Sequence, residues 1–162
     1  MSAAKMNAAA MNAATVPAAT VLRLGIAGRA FGLPVADVRD VLRTPVLTRL
    51  PRAPPGVFGA LNLRGKVVVA IDPRGPLGLP PSRGLPSRAV VVAHGPDVYA
   101  LLADEVTDVS ELSADLFAPL PGALAAKWST IAEGVFRLSH DLVVVLSIDG
   151  LLAAIAGRAS AA

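Results

Sequence analysis

The stretch LPVADVRDVLRTPVLTRLPRAPPGVFGALNLRGKVVVAID, residues 33–72, sets the reading of the whole chain. Its second part reads as a hairpin. Gly59 to Leu63 and Lys66 to Asp72 are short runs rich in Val, Leu and Ile, joined around Arg64-Gly65, where glycine supplies a positive φ. PRAPPG, residues 51–56, is a rigid turn. Thr44 to Leu50 before it reads as a short edge strand, because Pro45 has no N–H to give a ladder. In ADVRDVLR, residues 36–43, Val38, Val41 and Leu42 fall at i, i+3 and i+4, which predicts a short helix.

The flanks continue in the same style. Thr20 to Ala27 and Ala30 to Val35 read as strands around Gly28-Arg29. Residues 73–87 carry five prolines and mark a boundary between two halves, 20–87 and 88–156. Beyond it, Arg88 to His94 and Asp97 to Ala103 flank Gly95-Pro96, and Val106 to Leu112 follows. Ser113 opens a helical turn containing Asp115. Residues 117–127 read as a loop, Ile131 to Leu138 and Leu142 to Ser147 as strands, and Ile148 to Ala156 as a closing helix stopped by Gly157. Roughly ten short strands at a spacing of about 8–12 residues predict one or two small closed barrels. The helices are too few to cover a parallel sheet.

Composition narrows the class. Hydrophobic residues make up 54% of the 162 and mean hydropathy is +0.60, so the chain has apolar surface enough to offset ordering entropy. No cysteine is present, which excludes disulfides, thiolate metal sites and a cysteine nucleophile. The apolar runs are strand-sized, so a spanning helix is not expected. Residues 1–19 lack the leucine-rich middle of a secretory signal and read as a disordered Ala-rich tail, which places the protein in the cytoplasm.

The net charge of +3 conceals an asymmetry. Residues 1–88 hold 12 basic and 3 acidic side chains, residues 89–162 hold 3 and 9. A basic first half admits a nucleic-acid-binding tandem barrel as one reading. However, its arginines stand singly among Pro and apolar residues, and only Phe31 and Phe58 could stack a base. The other reading is electrostatic complementarity between copies or relatives joined head to tail.

Chemistry is sparse. There is no phosphate loop, no dinucleotide fingerprint and no nucleophile elbow. His94 and His140 read as turn residues. Asp104-Glu105 is an adjacent acid pair whose members point to opposite faces of a strand. A hydrolase built on Asp72, Asp104 or Glu105 is the weaker alternative to a binding module without catalysis, cofactor or metal.

Several of these residues form an ordered pattern. Val38-Arg39-Asp40-Val41, then Leu50-Pro51-Arg52-Ala53-Pro54, then Gly59-Ala60-Leu61-Asn62-Leu63-Arg64-Gly65 ending at Asp72, resemble the first half of the CheW-like domain. LLADEVTDV (101–109) and EGVFRLSHDLVVVLSIDGLL (133–152) resemble its second half, so the likeness covers about residues 20–156 and leaves 157–162 as a tail. The resemblance implies an all-β fold: two SH3-like five-stranded barrels side by side with a short C-terminal helix. It implies a non-catalytic, cytoplasmic adaptor recruited to receptor arrays at the membrane, without inserting into it or binding nucleic acid. That adaptor couples chemoreceptor cytoplasmic tips to the regulatory domain of the histidine kinase CheA, with ring contacts between CheW copies. It carries Val38, Asp40 and Arg64 over as receptor-binding residues, Arg64 and Asp40 forming an ion pair. Gly59 and Gly65 are read as structural turn and close-approach positions. Asp40 departs from the family's usual Glu by one methylene.

Overall fold

A computed structural model describes residues 19–43 and 45–161. The expected tail lies outside them except for Ala19, which opens the first strand. In chain order the elements are β1 (Ala19–Ile26), β2 (Arg29–Pro34), a 3-10 turn (Val35–Asp37), β3 (Val38–Arg43), β4 (Thr48–Arg49), β5 (Val57–Leu63), β6 (Lys66–Ile71), α1 (Arg74–Leu77), β7 (Arg88–His94) and β8 (Asp97–Ala103). Then come β9 (Glu105–Leu112), a second 3-10 turn (Ala114–Leu116), β10 (Phe117–Ala118), α2 (Gly122–Trp128), β11 (Ala132–Arg137), β12 (Leu142–Leu146) and α3 (Ile148–Ala161).

The strands form two six-stranded sheets, β10-β11-β12-β2-β1-β9 and β4-β5-β6-β8-β7-β3. In each, one member is only two residues long, leaving the expected pair of five-stranded units. Written this way the sheets match strand for strand, including a parallel pair at the same place, β12 with β2 and β6 with β8. The ladder β5–β6 shifts register between Val57 and Gly59, and β11–β12 shifts between Ala132 and Gly134. Placing Gly59 on Gly134 puts Ile71 on Leu146, and hence Arg74 on Asp149.

The boundary at 87/88 separates two equivalent runs of six strands, but it does not separate the two sheets. The hairpin β1–β2 belongs to the first sheet, and the chain then crosses at Val35–Asp37 to build β3–β6 of the second. The hairpin β7–β8 belongs to the second sheet, and the chain crosses back at Asp104 to build β9–β12 of the first. Each run lends its hairpin to the other's sheet. The halves 20–87 and 88–156 are therefore repeats and not separate bodies.

This exchange explains the apolar runs. β7, β8 and β12 are covered on both faces, so they carry continuous Val, Leu and Ala instead of an alternating pattern. One face fills a private core: Leu61, Val68, Ala89, Ala100 and Leu102 in the second unit, and Val21, Phe136, Val143 and Val145 in the first. The other face enters a shared core, where Leu24 and Phe31 of one sheet meet Ile71, Val90 and Leu101 of the other. Trp128, 1% exposed, packs on Phe31 and donates its Nε1–H to the Leu77 carbonyl at 2.9 Å, tying α2 to α1.

Four local expectations are corrected. The helix predicted over 36–43 is a 3-10 turn followed by strand β3, which pairs with β7 and bulges at Arg39. Its valines suit an extended chain, and pairing with β7 satisfies its backbone groups along one edge. The first turn is Ala27-Gly28, both at positive φ, one residue earlier than read. The loop read over 117–127 contains β10 and α2. The closing helix runs through Gly157 to Ala161, so residues 157–161 continue the helix and do not form a tail. A glycine inside a helix costs only about 1 kcal/mol relative to alanine.

Candidate functional site

The β5–β6 hairpin presents Arg64. The turn Arg64-Gly65 has positive φ at both residues, 51° and 85°, and is pinned by the Gly65 N–H donating to Asn62 Oδ1 at 2.8 Å. Gly65 supplies the left-handed backbone; a Cβ there would meet nothing within 4 Å, so the demand is conformational and not steric. Gly59 lies within strand β5 and not at a turn. Its backbone meets the Thr48 carbonyl so closely that a Cβ would collide with it.

Arg64 and Asp40 come together as expected. Arg64 Nη2 donates to Asp40 Oδ2 at 3.2 Å, with the arginine side chain 82% exposed and the aspartate 31%. Asp40 Oδ1 accepts from the Val41 N–H at 2.8 Å, which orients the carboxylate. One guanidinium nitrogen is engaged and the rest of the fork faces solvent, able to donate to another molecule. Val38 is half-buried and packs against the shared core, opposite Val92, so much of its surface serves packing. The more exposed apolar groups near this end are Val41 and, just past the turn, Val67 at 78%. Sequence reading missed Val67 because KVVVAI gives no sign of which valine faces out.

A second polar centre was also missed. Arg74 Nη2 donates to both oxygens of Asp104, at 2.7 and 2.5 Å, and its Nη1 reaches the Pro80 carbonyl at 2.6 Å. Asp104 Oδ2 also accepts from the Ala27 N–H at 2.8 Å, and its own N–H donates to Gly25 O. Thus Asp104, considered above only as half of an acid pair, joins α1 of one unit to the first hairpin of the other at the returning crossing. His94, read as a turn residue, bonds Asp149 Oδ1 through Nε2 at 2.7 Å. Beside that pair, Val57, Val69, Tyr99, Leu152 and Ile155 line an apolar cleft of about 590 Å³ beneath α3. Among the described residues there is no group of three or more His, Asp or Glu placed to hold a metal, and no helix long and apolar enough to cross a membrane.

Two interleaved β units, each with a five-stranded frame, and an arginine-bearing hairpin answering a carboxylate on the crossing strand define a tandem-barrel architecture. The chain belongs to the CheW-like domain family, whose pattern matches residues 20–156. It is similar to Protein PilI of Pseudomonas aeruginosa, 34% identical over 120 residues, covering 74% of this chain and 67% of that one. It is also similar to the chemotaxis protein CheW of Helicobacter pylori, 24% identical over 128 residues, covering 78% and 77% respectively. The crystal structure of the scaffolding protein TtCheW from Thermoanaerobacter tengcongensis shares the fold with a TM-score of 0.74 at 24% identity, over 83% of this chain and 92% of that one. Membership makes this a non-enzymatic scaffold protein of chemosensory type.

Proposed function

We propose that the chain couples the cytoplasmic tip of a chemoreceptor to the regulatory domain of the histidine kinase CheA, without catalysis or cofactor. It would work in the cytoplasm, held at membrane-associated receptor arrays by its partners. The observation that carries the receptor half is Arg64: a guanidinium fixed by a positive-φ turn, steadied at one nitrogen by Asp40 and otherwise open. Receptor helices would meet it with Val38 and Asp40 at one edge of the second unit, an apolar contact bordered by a charged one. Co-sedimentation with receptor-bearing membranes, with and without CheA, tests this reading. Retention by wild type and loss in Arg64→Glu supports it; equal retention of both sinks it.

Charge supports a second contact, between neighbours. Sorted by unit, residues 38–103 carry nine basic and three acidic side chains, while residues 19–37 with 104–156 carry four basic and nine acidic. The asymmetry noted along the chain therefore survives the exchange of hairpins. It favours the second unit of one molecule meeting the first unit of the next, whether another copy or the CheA regulatory domain, and opposes like-on-like contact.

A further inference from the structure

The two crossings between sheets are built alike and charged differently. At the returning crossing, Asp104 meets Arg74, the residue three positions after β6. At the outgoing crossing, the position matching Arg74 is Asp149, and the residues gathered near it are Asp37, on the 3-10 turn, and Glu133, on β11. Both Glu133 carboxylate oxygens are closed to solvent and find no hydrogen-bond partner among the described residues. The nitrogen-bearing side chains nearby serve other groups: His94 bonds Asp149, and Arg39 offsets the charge of Asp37.

The cluster sits at a mechanical junction. β11 belongs to the first unit, His94 ends β7 of the second, and Asp37 lies on the chain passing between them. Asp149 is in the first turn of α3, which bears on both: Gly150 rests against the Thr130 carbonyl, and Ile155 lies where a Cβ on Gly56 would meet it at 2.7 Å.

We propose that Glu133 is a proton-operated latch at the outgoing crossing, closing the first turn of α3 and the 3-10 turn onto β11 when neutral and loosening them when ionised. A buried carboxylate without a donor, beside two other carboxylates, has no means of stabilising its charge except by taking up a proton. Burial, then Asp37 and Asp149, push Glu133 from 4.5 up to about 8, and burial with Asp149 also raises Asp37. The folded state therefore holds a proton that the unfolded chain releases. This contribution to stability is complete below the unfolded value of 4.5 and is lost as pH rises toward 8.

Denaturant titrations of the full chain at several pH values, beside Glu133→Gln, test the latch. The folding constant of wild type should fall relative to Glu133→Gln by about tenfold between pH 6 and 7, flattening above pH 8. Asp37→Asn removes one repelling carboxylate from the folded state and should make the fall level off at a lower pH, which keeps the test alive if Glu133→Gln does not fold. The Gly150 and Leu151 amides, both bonded to Ser147, should lose exchange protection with rising pH in wild type before those of β7 and β8. A wild-type to Glu133→Gln ratio constant with pH, an Asp37→Asn profile identical to wild type, or protection lost uniformly across the chain would each overturn the proposal.

Discussion

Gly59 and Gly134 stand at the same place in the two sheets, each where a two-residue strand passes against its backbone. Gly59 faces the Thr48 carbonyl and Gly134 faces Ala118 O at 2.7 Å and Phe117 Cζ at 2.5 Å, measured to where a Cβ would be. A methyl group at either must push β4 or β10 off its sheet. Gly59→Ala and Gly134→Ala should each lose about 1–3 kcal/mol, the usual cost of overpacking. Gly157→Ala is the control: nothing lies within 4 Å and the position is helical, so it should gain up to about 1 kcal/mol. Urea unfolding of the three variants distinguishes them.

The two arginine–aspartate pairs should behave oppositely. The Arg74 side chain is 12% exposed and its partner Asp104 serves a backbone N–H as well. Asp104→Ala leaves that N–H without an acceptor and a nearly buried guanidinium without its carboxylate, and should cost about 2–3 kcal/mol or more. Asp40→Ala removes an exposed pair and should cost less than about 1 kcal/mol. If equilibrium unfolding gives equal losses, Asp104 is not the junction described above.

Binding should separate from folding at Arg64. Arg64→Glu reverses a charge that is 82% exposed, so its melting temperature should stay within about a degree or two of wild type, the range of ordinary surface changes. Receptor pull-down should nevertheless fail. Val67→Ser, on the same hairpin, should weaken the pull-down by a smaller factor without changing the melt.

Salt reports on the contact between neighbours. If opposite charge on the two units orders them head to tail, association with the CheA regulatory domain should weaken steadily as salt rises from about 0.05 to 0.5 M, where screening shortens from above 10 Å to a few Å. Sedimentation that is indifferent to salt would leave packing alone to set the order.

The fold was legible to the extent that turns and apolar runs report it. Asn62 to Gly65, Gly95-Pro96 and the Ser139-His140-Asp141 corner each place a hairpin on local chemistry, and the strands around them fall where expected. β3 was misread because Val38, Val41 and Leu42 satisfy a helical spacing by coincidence, and only its pairing with Arg88–His94 decides otherwise. α2 was hidden behind Pro119 and Pro121, although GALAAKW after a proline is a fair helix start. The exchange of hairpins has no local signature. Its one trace is an internal repeat, Asp37-Val38-Arg39-Asp40-Val41 against Glu105-Val106-Thr107-Asp108-Val109, which marks the two strands entered immediately after a crossing. The Arg64–Asp40 pair could be anticipated from a resemblance. The Arg74–Asp104 pair and the Glu133 cluster could not, because each assembles residues from three or more elements brought together only by the swap.

The lending of β1–β2 and β7–β8 makes the molecule the single-chain counterpart of a domain-swapped dimer. The second barrel is one continuous stretch, residues 38–103, set between β2 and β9 of the first, so the first barrel closes only with the second held between its two parts. A break between β6 and β7 divides both barrels. A protease cut within Leu79–Leu85 should therefore leave two fragments that stay clasped and elute as one particle. Mixing them after separate denaturation should restore both barrels together or neither.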